Sequence, residues 1–342
     1  MIKTLKSDKE YFYKIIDDKK FRISKNEYLK LRNSNIDRYK HRHEDSKKGW
    51  DSKWINKYFK INDTVGSGNY GEIKFATIKK VPTKKFLVNK NKLNVNQKVA
   101  LKCINLKNCN YNDEINTLSK VNHDNVVKLY GQNKILDQYL FLVMEYIDGK
   151  NLKELIYSDE YSDFYINKSL NDTIKNIKIK LLYQIAKGLQ HMHNLDIMHR
   201  DLKPDNVMIL DYNTNDNFAK IVDFGFATDK KKSKKRIGTK RYYAPELSNK
   251  VMYTKKVDVW SYGVMAHLIL TGILIFKDDI LIKLKEYNNN WRFYANSDNK
   301  LQLYGNLQHP IEKLLDMTLK KEISKRIDMN KVLKLPLFKI LK

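Results

Sequence analysis

The chain of 342 residues is 42% hydrophobic, which is enough material for two lobes with sizeable cores. Its two cysteines, Cys103 and Cys109, lack C-x-x-C spacing, and no histidines cluster, which argues against a disulfide framework or a structural zinc site. We therefore expect an intracellular protein, cytoplasmic or nuclear. The net charge of +27 would suit an acidic partner, but the lysines are spread along the chain, as is typical of drift in composition.

No segment is predicted to direct the chain into a membrane. The first twenty residues contain no uninterrupted apolar run, so they do not resemble a secretory signal. The longest apolar run, residues 263–276, contains His267 and is shorter than the ~20 residues that a membrane-spanning helix needs. We therefore expect no membrane span.

Residues 1–57 form a polar and basic N-terminal extension. It contains two short amphipathic stretches, one around Phe12 and Ile16 and the other around Trp50 and Trp54. We expect a helical extension docked on the rest of the molecule; an arm that binds a partner is the alternative. No residue in this segment indicates chemistry.

A glycine-rich hairpin is predicted next. YFKINDTV is typical of a strand, and Gly66, Gly68 and Gly71 have the G-x-G-x-x-G spacing that lets a backbone approach phosphates closely. In a dinucleotide-binding fold the last glycine opens a helix. Here it opens EIKFATI, whose apolar and polar residues alternate, so the glycines are predicted at the tip of a β-hairpin. The spacing therefore fits a loop that covers phosphates, and the dinucleotide interpretation fails.

The remaining elements are mostly strands at first and mostly helices later. A basic loop, residues 79–96, is expected to cross the surface before the strand KVALKCI. Apolar residues then have helical spacing over 115–121, and YLFLVMEYI is predicted to be a buried strand. A long amphipathic helix is predicted over 174–192.

Seven motifs follow one another from about Tyr58 to the C-terminus. They are GSGNYGEI, VALK, HRDLKPDN, DFG, APE, DVWSYG and KRID. In this order they resemble the signature of the eukaryotic-type protein kinase family, serine/threonine-specific branch. The resemblance implies the α+β, bilobal protein kinase fold. A small β-rich N-lobe with one key helix, together with the hinge, would span 58–147, and a larger, mainly helical C-lobe would span 148–342.

The resemblance implies transfer of the ATP γ-phosphate to protein hydroxyl groups, with ATP and Mg²⁺ as cofactors. Asp201 would accept the proton of the attacking hydroxyl, and Lys203 would neutralise the γ-phosphate. Lys102 would hold the α- and β-phosphates. Because a lysine on a strand is costly to bury unpaired, it needs a carboxylate, and the resemblance nominates Glu114.

Metal and nucleotide positions are implied in the same way. Asn206 and Asp223 carry the oxygen ligands that the hard cation Mg²⁺ prefers. The adenine would lie between apolar walls, with backbone hydrogen bonds from the segment joining the lobes. The positions implied for ATP are Val65, Gly66, Gly68, Gly71, Ile73, Ala100, Lys102, Met144, Glu145, Ile147 and Met208.

The expected substrate is a protein. Lys203, Thr239 in GTKRYYAPE, and Phe226 directly after DFG resemble kinases that act on serine or threonine. The positive charge of the chain suits an acidic substrate. Asp205, in contrast, suits a basic residue near the acceptor.

Two departures from the family pattern concern regulation. Lys102 and Glu114 are 12 positions apart, which is short for the family, so the helix carrying Glu114 is expected to lack its first turn while the ion pair survives. In the activation segment, Lys235 stands at the usual acceptor position and would repel Arg200. Ser233 is the only hydroxyl in the basic run. Either Ser233 is the switch, an acidic partner or substrate orders the segment, or the kinase is constitutively active.

Two other classes of protein are alternatives. A pseudokinase scaffold would bind partners without transferring phosphate, but such chains usually lose one of the residues that here are Lys102, Asp201 and Asn206. A nucleic-acid-binding protein would need a basic patch with interleaved aromatic residues, whereas the aromatic residues here lie largely at core-like spacing. The charge thus allows nucleic acid as a partner, but no motif indicates it. Salt-dependent binding by residues 1–57 would revive that alternative.

Overall fold

The computed structural model describes most of the chain, and the fold below concerns those residues. They are 2–7, 12–16, 19–23, 49–68, 71–83, 86–88, 92–106, 112–157, 171–248, 251–276, 280–295 and 298–341.

The first three strands form a separate antiparallel sheet in the order β1-β2-β3. They are β1 (Ile2–Ser7), β2 (Phe12–Ile16) and β3 (Lys19–Ile23). The predicted helical extension is therefore wrong over these residues. Aromatic and β-branched residues such as those of FYKII favour strands, and the run is too short for its periodicity to separate a helix from a strand.

The second amphipathic stretch is helical, as predicted. Helix α1 (Lys53–Tyr58) begins after Ser52, whose side chain accepts a hydrogen bond from the Ile55 amide. Ile55 is fully buried, and the Trp50 ring lies edge-on to Phe141 of the neighbouring sheet with centroids 5.0 Å apart. This end of the extension covers the outer face of that sheet. The predicted boundary between residues 57 and 58 falls in the last turn of α1.

The sheet of the small lobe has five antiparallel strands in the order β4-β5-β6-β8-β7. Gly68 lies opposite Gly71 at the end of the first pair, so the glycines lie at the tip of a hairpin, as predicted. The strands are β4 (Phe59–Gly68), β5 (Gly71–Ile78), β6 (Lys98–Asn105), β7 (Leu129–Ile135) and β8 (Tyr139–Glu145).

Successive side chains along each strand of this sheet point to its two faces in turn. On the outer face, Phe141 packs with α1. On the inner face, Ile104 packs with Leu118 of helix α2 (Asn112–Leu118). Lys102 is two residues before Ile104, so it shares the inner face.

The basic loop between β5 and β6 contributes to the outer core. Phe86 and Leu93 are buried there, and the Phe86 ring lies 5.4 Å from that of Trp54, centroid to centroid. The prediction that residues 79–96 only cross the surface is therefore wrong at these two positions. Two apolar residues among lysines show no periodicity, although each can cover apolar surface.

The large lobe is mainly helical and also contains a short sheet in the order β11-β10-β9. Before its two long helices come β9 (Lys150–Asn151) and α3 (Leu152–Tyr157). The remaining elements are α4 (Asp172–Asn194), β10 (Val207–Ile209), β11 (Ala219–Ile221), α5 (Pro245–Ser248), α6 (Lys256–Thr271), α7 (Ile280–Glu286), α8 (Trp291–Ala295), α9 (Asp298–Leu301), α10 (Gln308–Thr318) and α11 (Met329–Val332), with 3₁₀ turns at Pro204–Asn206, Lys240–Tyr242, Gln302–Leu307 and Pro336–Leu341.

The two long helices form the centre of this lobe. The helix α4, which apolar periodicity predicts, is capped by Asn171, whose side chain accepts a hydrogen bond from the Ile174 amide. Every residue of α6 from 257 to 271 is buried. The helix ends at Gly272, whose φ of 72° is the left-handed conformation that favours glycine. In the part of the chain that is described, no helix is long and apolar enough to cross a membrane.

Candidate active site

The inner face of the small-lobe sheet presents a buried ion pair. Lys102 Nζ lies 2.5 Å from Glu114 Oε1 and 3.7 Å from Asp223 Oδ1, and the Lys102 and Glu114 side chains are 7% and 6% exposed. Burial alone would lower the pKa of Lys102, but the charges of Glu114 and Asp223 outweigh it and raise that pKa above its ordinary value. Lys102 is therefore a fixed positive charge in the cleft between the lobes.

Glu114 is the third residue of α2, which is seven residues long. The structure brings Glu114 to Lys102 in spite of the short separation between them in the sequence. A preceding helical turn would fall on residues 107–111, which lie outside the described residues, so the missing first turn stays a prediction.

The loop after α4 carries a closed network around Asp201. One carboxylate oxygen, Oδ2, lies 2.8 Å from Lys203 Nζ, and the other, Oδ1, accepts a hydrogen bond of 2.7 Å from the Thr239 hydroxyl. Lys203 also donates to Thr239 Oγ1 at 3.0 Å, and the Asn206 amide donates to the Asp201 carbonyl at 2.8 Å. The sequence singles out all four residues, and the structure brings them together.

Asp258 on α6 anchors this loop, a role that the sequence analysis does not predict. Its fully buried carboxylate accepts hydrogen bonds from the backbone amides of His199 at 2.9 Å and Arg200 at 2.8 Å, and it lies 3.0 Å from His193 Nε2. Burial would raise the pKa of Asp258, but the hydrogen bond with His193 and the nearby positive charges hold it below its ordinary value. The sequence does carry a signal for this role, which is a single carboxylate among the uncharged residues of a buried helix. Such a charge is costly to bury unless partners compensate it.

Asp223 and Asn206 are the residues that could hold a divalent cation. Their segments are joined by a hydrogen bond of 2.9 Å from the Val222 amide to the Asn206 carbonyl. Burial would raise the pKa of Asp223, but Lys102 contributes to holding it below its ordinary value, so this carboxylate is ionised at neutral pH. The Asn206 amide nitrogen is engaged by Asp201, which leaves its side-chain oxygen as the donor atom for a metal.

This donor set fits Mg²⁺. Among the described residues, no three His, Cys, Asp or Glu side chains cluster as an all-protein metal site. Mg²⁺ is usually held by one or two carboxylates together with substrate phosphates, and it demands oxygen ligands. One carboxylate and one amide oxygen beside the Lys102 charge therefore suit a cation that also binds phosphate.

The predicted nucleotide walls face the same cleft. Ile73 lies opposite Lys102 in the sheet, and Ala100 lies opposite the buried Met144. Met208, on the large-lobe side, is half-buried in β10. Apolar side chains of the small-lobe sheet thus lie beside Lys102, while Met208 belongs to the short sheet of the large lobe.

The segment between the lobes limits which backbone group of Glu145 is free to bond the adenine. The Glu145 amide donates to the Lys128 carbonyl at 2.9 Å, and the Glu145 carboxylate lies 2.9 Å from Lys220 Nζ. The amide is therefore engaged, and the predicted hydrogen bond to adenine is restricted to the Glu145 carbonyl. Ile147 is partly buried against the inner core that contains Met144.

The backbones of β4 and β5 form the glycine hairpin. Gly66 lies opposite Ile73 and Gly68 opposite Gly71, and Val65 also belongs to β4. Residues 69–70, at the tip, lie outside the described residues.

The activation segment meets Arg200 through Ser233. Arg200 donates from Nη1 to Ser233 Oγ at 3.3 Å and from Nε to the Phe226 carbonyl at 2.6 Å. Ser233 is 9% exposed and exchanges two backbone hydrogen bonds with Tyr253, of 3.0 and 2.9 Å. Lys235 is exposed. Within the basic run, the Ser233 hydroxyl group therefore contacts the Arg200 guanidinium.

Asp205 has a partner within the molecule. Its Oδ1 lies 2.8 Å from Lys153 Nζ on α3. A basic substrate residue would have to compete with this lysine, which weakens the expectation drawn from Asp205.

The fold has two lobes, and the cleft between them holds side chains of the kinds that phosphoryl transfer uses. A glycine hairpin, a buried lysine–carboxylate pair, two oxygen donors for a metal and a held carboxylate for the acceptor proton are the parts that phosphoryl transfer requires. Residues 59–338 match the family described as protein kinase domain, and the chain belongs to the protein kinase family. The predicted family and the α+β, bilobal fold are confirmed.

Several curated relatives are protein kinases by name. Serine/threonine-protein kinase CLA4 of Candida albicans is 30% identical over 279 residues, which cover 80% of this chain and 26% of that protein. Calcium-dependent protein kinase 5 of Plasmodium berghei (strain Anka) is 30% identical over 276 residues, covering 78% and 43%. Myosin light chain kinase family member 4 of Homo sapiens is 35% identical over 170 residues, covering 49% and 40%. The chain thus spans less than half the length of each of these relatives.

Proposed function

We propose that the chain is a protein serine/threonine kinase that uses ATP and Mg²⁺. One observation carries this proposal: the network of Asp201, Lys203 and Thr239 lies in the same cleft as the buried pair of Lys102 and Glu114. A scaffold without activity would have no need to keep a charged network of this kind.

The proposed step is an in-line displacement. The oxygen of the substrate hydroxyl forms a bond to the γ-phosphorus, the bond from that phosphorus to the bridging oxygen breaks, and ADP leaves. The hydroxyl proton passes to the Asp201 carboxylate, which Thr239 and Lys203 hold in place. Lys203 and Lys102 offset negative charge on the phosphates.

The cofactors are held by residues already described. Asn206 and Asp223 would hold Mg²⁺, which when bound neutralises phosphate oxygens. Ile73, Ala100, Met144 and Met208 would enclose the adenine. The backbones of Val65, Gly66, Gly68, Gly71, Glu145 and Ile147 would complete the ATP site.

A phosphoamino-acid analysis tests the proposal. Protein substrates labelled with γ-³²P-ATP and then hydrolysed in acid are expected to yield phosphoserine and phosphothreonine. The hydroxyl of the acceptor must reach Asp201 beside Thr239, and this favours a short aliphatic alcohol over the longer tyrosine. Phosphotyrosine as the main product would contradict the serine/threonine assignment.

We further propose an intracellular, cytoplasmic or nuclear setting and an acidic protein substrate. The buried free thiol of Cys103 supports a reducing compartment. The exposed basic residues of the activation segment support an acidic substrate.

We propose Ser233 as the residue that couples the activation segment to Arg200. Its hydroxyl accepts from Arg200 and from the Lys235 amide at 3.2 Å, so a phosphate there would face a positive charge. Ser233→Ala removes the acceptor and is expected to lower kcat/KM several-fold, measured beside mass spectrometry of the active wild type. If the wild type is active without phosphate on the segment, the Ser233 hydroxyl alone is enough for the contact with Arg200. Full activity of Ser233→Ala without any phosphate in the segment would rule out Ser233 as the switch.

A further inference from the structure

The activation segment carries a dense positive charge that the transfer step does not use. Eight of the twelve residues from 230 to 241 are Lys or Arg, and none is Asp or Glu. All but Lys240 are exposed. Lys231 lies 3.8 Å from an Asp196 oxygen, and the other six exposed cations form no ion pair with any described residue.

The end of this segment is fixed beside the catalytic carboxylate. Thr239 donates to Asp201 at 2.7 Å. Gly238 has a φ of 103°, and a Cβ there would lie 2.3 Å from the Arg200 carbonyl oxygen, so the backbone runs against the catalytic loop. The Tyr243 hydroxyl donates to the Gly238 carbonyl at 3.2 Å and closes the turn from the other side.

Arg236 and Lys240 flank this fixed point. Lys240 is directly next to Thr239, and Arg236 is three positions before it. Burial raises the pKa of Tyr243, while the charge of Arg236 opposes this rise and that of Asp201 adds to it. The charges of Arg236 and Asp201 thus both act on this phenol, in agreement with the closeness of Arg236 to Thr239 along the chain.

We propose that Arg236, with Lys240, recognises an anionic side chain within two residues of the acceptor serine or threonine. This inference rests on the proposed kinase function. Consecutive Cα atoms are about 3.8 Å apart, so a substrate residue next to the acceptor lies within reach of side chains next to Thr239. The guanidinium of Arg236 presents a planar fork that matches a carboxylate or a phosphate, and this makes the anion an Asp, a Glu or a phosphorylated residue.

The remaining exposed lysines have a different effect. These are Lys230, Lys232, Lys234 and Lys235, which precede Thr239 by four to nine positions. They attract an acidic substrate without selecting one position of it. A polynucleotide is the less favoured occupant because residues 230–241 include no aromatic side chain on which bases would stack.

A positional peptide series tests the proposal. Each peptide carries one serine among neutral residues, with Asp, Asn or phosphoserine placed at one position from four before to four after the acceptor. The enzymes are the wild type, Arg236→Glu and Lys232→Glu. Lys232→Glu makes the same charge change in the same segment, seven positions before Thr239. Values of kcat/KM are measured, and peptide binding is measured in parallel by fluorescence anisotropy.

The wild type is expected to prefer Asp and phosphoserine over Asn by about tenfold or more at a position within two residues of the acceptor, as one charge-assisted contact would give. Arg236→Glu loses this preference, and Lys232→Glu keeps it. A wild type that phosphorylates Asp and Asn peptides equally at these positions overturns the inference and leaves the kinase function intact.

Two further outcomes of the peptide series also test the proposed anion site. If no peptide is phosphorylated, the proposed function fails, and the anisotropy series alone then tests the anion site, with the same preference expected. If acidic residues help equally at every position and mixed-sequence single-stranded RNA competes for the peptides, the segment is a general polyanion surface. That result overturns the inference.

Discussion

At the scale of single residues, Lys102 shows how the cleft sets a charge. Its side chain is 7% exposed, yet the pKa of its ammonium group is raised because two carboxylates face it. A raised pKa in the folded state means that the partners of Lys102 stabilise its charged form. Its contribution to folding stability is present below the unfolded pKa near 10.5 and is lost only as the pH rises through the higher folded value. At neutral pH the lysine is therefore charged and held in place for the phosphates.

The change Glu114→Gln tests this pairing. It keeps the shape of the side chain but removes the nearer charge, so the pKa of Lys102 falls and the buried ammonium loses its shortest partner. We expect an unfolding free energy lower by about 2 kcal/mol, less than for a fully broken buried pair because Asp223 remains. We also expect a marked loss of kcat/KM. Denaturant unfolding and steady-state kinetics measure the two effects.

Glu322→Gln is the matched control for this change. Its pair with Lys325 is exposed and screened by solvent, so its loss is expected to change the unfolding free energy little. Equal effects of the two substitutions would show that the buried pair has no special role.

At the scale of elements, the end of the N-terminal extension supports the glycine hairpin. The Trp50 indole donates to Glu72 Oε2 at 2.7 Å, and Lys74 Nζ lies 4.6 Å from the centroid of the Trp50 ring. Glu72 directly follows Gly71 and pairs opposite Ser67 in the hairpin. A residue that precedes the matched kinase domain therefore contacts the glycine hairpin one residue from its terminal pair, Gly68 and Gly71.

The change Trp50→Phe removes the donor and keeps an aromatic ring. It leaves the Glu72 carboxylate, 8% exposed, with one hydrogen bond fewer. The expected cost is about 1–3 kcal/mol of unfolding free energy. A higher KM for ATP is expected with little change in kcat, because the hairpin loses a support but no catalytic group. Trp54→Phe, on helix α1 four residues further along the chain, is the control. An unchanged KM in both variants would contradict the role of Trp50.

Local patterns made some elements predictable from the sequence and left others out of reach. The glycine hairpin and α4 have clear periods of two and 3.6, and both were predicted correctly. The strand β2 was not, because five residues of mixed character fit either period. Phe86 and Leu93 are buried by contacts with distant residues, and the role of Asp258 depends on a loop 58 positions away. No local pattern carries such information.

At the scale of the whole molecule, the two lobes are joined behind the cleft by backbone hydrogen bonds. The Val127 amide donates to the Ile221 carbonyl, and the Ile221 amide donates to the Asn125 carbonyl, both at 2.9 Å. The ion pair of Glu145 with Lys220 lies in the same region. These contacts tie the small-lobe segment before β7 to β11, and Asp223 follows β11 by two residues. These contacts thus help to position the Asp223 carboxylate against Lys102.

The proposed kinase activity depends on Asp201 as the group that accepts the hydroxyl proton during phosphate transfer from ATP. The most direct measurement is the rate of γ-phosphate transfer by the wild type and by Asp201→Asn at saturating ATP and Mg²⁺. Folding and ATP binding are followed in parallel by thermal shift, and Asp137→Asn, at an exposed residue, serves as control. Asp201→Asn is expected to stay folded, to bind ATP and to transfer phosphate about 10²–10⁴-fold more slowly, as follows from the loss of a positioned base. Equal rates in wild type and Asp201→Asn, or no transfer by a folded wild type that binds ATP, would contradict this expectation.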